Sequence, residues 1–116
     1  MTQVVVEVSG EAGLAETASG AVAERLGETF GQVREALQHL ESGDAVLLKY
    51  TVGEDGTALA AALASLCRTL AREAAPRGVR VNAILATPDA RIDQLADFLG
   101  SDASVMCTGA VLEATP

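Results

Sequence analysis

The stretch Leu63 to Ile84, LASLCRTLAREAAPRGVRVNAI, constrains the fold more than any other part of the chain. Leu59, Ala62, Leu63, Leu66, Leu70 and Ala74 recur at helical spacing and mark one apolar helix face. Pro76 cannot continue that helix, and Gly78 accepts a positive φ, so the helix stops there. Val79, Val81, Ala83 and Ile84 follow as a short apolar, largely β-branched run, the pattern of a buried strand. A helix, a tight turn and a strand in this order form the second half of a βαβ unit, which builds a parallel sheet.

The same alternation runs through the rest of the chain. Gln3 to Val8, QVVVEV, reads as a strand, with Ser9, Gly10 and Gly13 in the turn after it. Leu14, Ala18, Val22, Leu26, Phe30, Val33, Leu37 and Leu40 are each three or four residues apart, which predicts one long helix from about Ala12 to about Glu41. Gly20, Gly27 and Gly31 each weaken that helix by up to about 1 kcal/mol relative to alanine. They also let another backbone come close, so a tight neighbour is expected. Ser42-Gly43-Asp44 ends the helix, and Ala45 to Tyr50 is the second strand. After the loop Thr51 to Asp55, Asp55 is the expected N-cap of a helix from Gly56 to Ala75. The third strand is Val79 to Ile84. Thr87-Pro88-Asp89 is expected to open a third helix with its stripe on Ile92, Leu95, Ala96 and Leu99, stopped by Gly100. Ala110 to Glu113 reads as a last short strand. The sequence therefore predicts an α/β fold in one domain, residues 1–116. It is a truncated Rossmann-like parallel sheet of about four strands and three helices with right-handed crossovers.

Charge narrows the function classes. The formal net charge of −8 repels phosphate backbones and anionic lipid, which argues against nucleic acid and membrane surfaces as partners. No apolar run approaches a membrane span, and the N-terminus lacks the charged start and apolar middle of a signal peptide. A cytoplasmic location is the expectation. Cys67 and Cys107 lack metal-ligand or CxxC spacing and read as reduced, half-buried thiols. Glu7, Glu11, Glu16, Glu24, Glu28, Glu35 and Glu41 are scattered along the chain, so no metal site is expected. His39, the sole histidine, is expected in the last turn of the first helix, where a cation suits the helix dipole.

The run L-x-R-x-L-A-x-E-x-A-P-R-G-V-R-V-N-A-I, from Leu66 to Ile84, resembles the C-terminal half of a short-chain dehydrogenase/reductase. So does F-L-x-S-D-A-S-x-x-x-T-G-x-V-L-E, from Phe98 to Glu113. The resemblance covers roughly Ala45 to Glu113 and implies the last four strands of that family's sheet, in sequential order. It also implies a nicotinamide cofactor on a glycine-rich loop, a catalytic serine, and a Tyr-x-x-x-Lys pair opening the helix that leads into Leu70-Ala71. Counting back from that motif, the tyrosine position falls on Gly56 and the lysine position on Ala60, and neither residue transfers a proton. Tyr50 and Lys49 are the sole tyrosine and lysine; adjacent on a strand, they point to opposite faces and do not replace the pair. Thr51 is the hydroxyl nearest the expected serine. The one candidate dinucleotide turn, Ser9-Gly10-Glu11-Ala12-Gly13-Leu14, lacks the full glycine pattern and carries an acid. No acid ends the next strand, since Asp44 precedes it. Leu85-Ala86-Thr87-Pro88 runs almost directly into the third helix, leaving no room for the family's substrate-covering segment. Asn82 is expected to serve its strand rather than a ligand.

The resulting expectation lists no catalytic residues, no cofactor-binding residues, no metal ligands and no cofactor. The chain reads as an inactive short-chain dehydrogenase-like subunit, a pseudoenzyme. It oligomerises with itself or with a full-length dehydrogenase/reductase, using the first strand's open edge and the first two helices. The alternatives are an NAD(P)-dependent oxidoreductase with a remodelled site around Lys49, Tyr50 or Thr51, and a small-molecule binding module without catalysis.

Overall fold

The computed structural model describes residues 2–10 and 14–116. Four strands form one parallel sheet in sequential order: β1 (Gln3–Val8), β2 (Ala45–Thr51), β3 (Arg80–Ala86) and β4 (Val111–Ala114). The register runs without a bulge, with Gln3 opposite Ala45, Ala45 opposite Arg80, and Ala83 opposite Val111. The helices are α1 (Leu14–Ala18), α2 (Ala21–Leu37), α3 (Thr57–Ala74) and α4 (Asp93–Leu99).

Side-chain alternation along the strands divides the core into two layers. Val6, Val46, Leu48, Val81 and Ala83 pack with Val33 of α2 and with Cys67, Leu70 and Ala74 of α3. Val8, Tyr50 and Leu85 continue that layer against Leu59 and Leu63. On the other face, Leu47, Ile84 and Ala86 pack with Ile92 and Leu99 around α4. All seven residues of β3 are buried, as a strand covered on both faces should be. β1 is covered on one face: Val6 and Val8 are buried, whereas Val5 is 45% exposed.

Several local expectations are corrected. The long first helix is two helices, which raises the helix count from about three to four; Gly20 adopts φ 94°, a left-handed conformation that breaks the run between α1 and α2. Its predicted start at Ala12 lies outside the described residues. Gly27 and Gly31 face open space within this chain, so the close neighbour expected of them is absent among the described residues. His39 sits beyond the end of α2 in an exposed turn, because the Gln38 and His39 amides already donate three residues back, to Glu35 and Ala36. Gly56, not Asp55, is the N-cap of α3, and no side chain caps that end. β3 extends through Ala86, and β4 is shifted to Val111–Ala114. The third predicted helix begins at Asp93 rather than near Thr87, because the Thr87 amide donates to Ala114 at the end of β4 and Ala90 closes a turn back onto Thr87.

Candidate functional site

Ligands of open parallel sheets bind at the carboxyl ends of the strands. Here the ends of β1 and β2 border a cleft of about 330 Å³ lined by Glu7, Val8, Ser9, Gly10, Lys49 and Thr51. Lys49 and Tyr50 point to opposite faces, as the alternation requires. Lys49 Nζ donates to Glu7 Oε1 at 3.2 Å on the α4 side of the sheet. Tyr50 is buried on the α3 side, and its hydroxyl donates to the Gly10 carbonyl at 2.8 Å. Gly10 has φ 99°, and a Cβ added there would stand 3.2 Å from Arg25 Nε. The Arg25 guanidinium stands beside this glycine. Of the candidate turn Ser9 to Leu14, Glu11, Ala12 and Gly13 lie outside the described residues. The described part of the cleft carries the Glu7 carboxylate, paired with Lys49, and the Arg25 guanidinium beside Gly10.

The position matching the family's tyrosine is occupied by packing. Gly56 is buried, and a Cβ built on it would lie 2.7 Å from the Tyr50 hydroxyl oxygen and 3.1 Å from Val52 Cγ1. No side chain fits there unless Tyr50 moves. One turn along α3, Ala60 carries no polar atom and packs against the cluster around Tyr50, Leu59 and Leu63. Thr51 is exposed and lies at the other end of the strand-to-helix loop.

The motif residues further along are tied into the scaffold. Asn82 is buried: its Nδ2 donates to the Cys107 carbonyl at 3.0 Å, and its Oδ1 accepts from the Ala110 amide at 3.1 Å. This one side chain holds the approach to β4 on β3. Thr108 Oγ1 accepts the Val81 amide at 3.1 Å and closes the same crossover. Arg80 is a buried cation that sequence reading passed over. Its guanidinium donates to the carbonyls of Leu99 at 3.1 Å and Ser104 at 2.9 Å, and to Ser104 Oγ at 2.8 Å. These bonds fasten the end of α4 and the 3₁₀ turn Asp102–Ser104 to β3. The signal was available: a cation at the start of an apolar strand run demands partners when buried.

The two cysteines differ in access. Cys67 is fully buried beneath the crossover, with Sγ 3.7 Å from the Val81 carbonyl and 3.8 Å from that of Ala110. Burial pushes its thiol up to about 11, partly opposed by Arg68, so it stays protonated at neutral pH. It is more buried than the half-buried thiol the sequence implies, whereas Cys107 is half-buried as expected. Among the described residues, no group of three His, Cys, Asp or Glu side chains is placed to hold a metal. No helix among them is long and apolar enough to cross a membrane.

Comparison with known proteins agrees with this scaffold. The sequence profile of the family described as short chain dehydrogenase-like protein matches residues 11–114. Among solved structures, the chain is similar to enoyl-[acyl-carrier-protein] reductase (NADH) from Aquifex aeolicus, with a TM-score of 0.82 and 23% identity over 99% of this chain and 60% of that one. A dehydrogenase/reductase from Sinorhizobium meliloti gives a TM-score of 0.74 and 24% identity, covering 99% of this chain and 62% of that one. A short-chain dehydrogenase/reductase double mutant from Serratia marcescens gives 0.73 and 22%, covering 97% and 63%. The chain thus spans less than two thirds of each of these structures. Comparison with curated proteins gives no match. With its sequential parallel sheet and the motif residues that brace it, the chain belongs to the short chain dehydrogenase-like family.

Proposed function

We propose that this chain is a catalytically inactive short-chain dehydrogenase-like subunit that works within an oligomer, as a structural or regulatory partner of a full-length dehydrogenase/reductase. The observation that carries the reading is the corner at Gly56. The space from which the resemblance implies a tyrosine acts is taken by the Tyr50 hydroxyl, and Ala60 stands where the matching lysine belongs. Acid–base groups of this kind contribute about 10²–10⁴-fold in rate, and nothing described nearby replaces them. The outer surface of α2 and α3 supports the association half of the reading. Phe30 is 37% exposed there, Gly27 and Gly31 leave open space, and a groove of about 270 Å³ runs between the helices past Arg34, Leu70 and Arg77.

Titration of the purified chain with reduced nicotinamide dinucleotide, followed by fluorescence, tests the inactive half. The expected result is no saturable binding below about 100 μM, a concentration within the usual range for enzyme substrates. Saturable binding with dinucleotide consumed against a ketone overturns it. A second reading, a small-molecule binding module, is favoured by the cleft at Lys49 and Thr51; saturable binding without turnover would select it.

A further inference from the structure

We propose that the surface formed by Phe98, Val105 and Met106 with Asp97 and Asp102 docks a cationic amphipathic segment of a partner protein. This rests on the subunit reading and adds the chemistry of one partner and the place where it binds. Apart from Val5 and Phe30, the large apolar side chains left exposed among the described residues are Phe98 at 43%, Val105 at 64% and Met106 at 91%. Phe98 lies in the last turn of α4, and the other two directly follow the 3₁₀ turn Asp102–Ser104. Exposed apolar side chains gathered in one place mark a contact surface, whereas scattered single ones need no explanation.

The scaffold enforces this exposure. The Val105 amide donates to the Asp102 carbonyl at 3.2 Å and the Cys107 amide to the Ser104 carbonyl at 2.7 Å, which closes a turn with Val105 and Met106 at its tip. Both ends of the turn are tied to β3: Arg80 Nη1 holds Ser104, and Asn82 Nδ2 holds the Cys107 carbonyl. The same Arg80 nitrogen holds the Leu99 carbonyl, so Phe98 is kept in the neighbourhood of Val105. A surface held in place in this way loses less freedom on contact. The patch is also independent of whatever lies beside β1. A Cβ on Gly100 would meet Gln3 of β1, and Phe98, two residues earlier, lies about 200° round the helix from it.

Charge identifies the occupant. From Ile92 to Pro116 the sequence has no lysine, arginine or histidine, and its charged side chains are Asp93, Asp97, Asp102 and Glu113. Asp97 and Asp102 are exposed, one beside Phe98 in the chain and the other three residues before Val105. The Arg25–Glu28 and Lys49–Glu7 salt bridges use neither acid. An apolar centre flanked by carboxylates fits a segment with apolar side chains on one face and lysine or arginine beside them. A second copy of this chain is disfavoured on the same patch, because a two-fold contact would set carboxylates against carboxylates. Anionic lipid is repelled for the same reason. Methionine adapts its shape to the surface it meets, which suits Met106 to the tip of such a contact.

Binding of a fluorescently labelled helical peptide of leucine and lysine to the full chain, followed by anisotropy, tests this. A peptide with serine in place of leucine measures attraction by net charge alone. The leucine–lysine peptide is expected to bind saturably, about tenfold more tightly than the serine–lysine one, and less tightly as salt rises. Val105→Ser with Met106→Ser should weaken it about tenfold with an unchanged far-UV spectrum. Asp97→Asn with Asp102→Asn should also weaken it, whereas Glu24→Gln with Glu35→Gln removes the same charge from α2 and should leave it unchanged. The proposal is overturned by the absence of saturable binding, by binding that survives the Val105 and Met106 substitutions, or by an equal loss from the α2 pair. Self-association that Met106→Ser abolishes would place a second copy on the patch and overturn it too. None of these outcomes touches the subunit reading, which dinucleotide turnover against a ketone would sink whatever the peptide does.

Discussion

Two corners of one sheet have diverged. At the β3–β4 crossover, the residues that match the family run are joined by hydrogen bonds: Asn82 spans Cys107 and Ala110, Thr108 holds Val81, and Arg80 holds Leu99 and Ser104. At the start of α3, the positions that match the family's proton-transfer pair are Gly56 and Ala60, and Tyr50 fills the gap from below. The first corner is required by the backbone, since removing any of these side chains leaves buried amides or carbonyls without partners. The second is a matter of chemistry by the resemblance, and Gly56 and Ala60 fit the fold as they stand. Family likeness in this chain therefore follows structural need.

Substitutions can break or sharpen this contrast. The largest effect is expected from Arg80→Ala, which should lower stability by about 3 kcal/mol by stripping buried donors from Leu99, Ser101 and Ser104. Urea unfolding reads this directly; a loss under about 1 kcal/mol would mean the crossover is not held as described. Next comes a double-mutant cycle at the other corner. Gly56→Ala should cost about 2 kcal/mol, because its methyl meets the Tyr50 hydroxyl. Tyr50→Phe should cost about 1 kcal/mol for the bond to Gly10. In the Tyr50→Phe background Gly56→Ala should become cheaper, and strict additivity would show that the two positions do not compete for space.

The smallest effect at neutral pH concerns Cys67. Its folded pKa is raised from an ordinary 9.0 to about 11, so the unfolded chain releases this proton first. The Cys67 contribution to stability should be flat below pH 9.0 and should fall as pH rises from there toward about 11. Cys67→Ala should remove that alkaline slope. At neutral pH a thiol reagent should label Cys107 in the folded chain and reach Cys67 only on unfolding.

How much of this was legible depends on distance along the chain. The order of strands and helices follows from periodicity over a few residues, because a strand must alternate and a helix must carry a stripe to bury one face. The absence of the Tyr-x-x-x-Lys pair is equally local and follows from counting back from Leu70. The break at Gly20 was not legible: glycine is permitted in a helix and in a left-handed turn alike, and packing decides which it adopts. The late start of α4 was hidden in the same way, since Thr87 is drawn off to pair with Ala114.

The local pattern of residues was enough to settle that this chain is a parallel α/β sheet. Tertiary structure alone decided that Tyr50 closes the space above Gly56 and that Arg80 braces α4. The physical reason is range. Periodicity expresses burial of a face, which each segment carries in its own residues. A steric exclusion and the partners of a buried cation exist only once distant segments share one place in space.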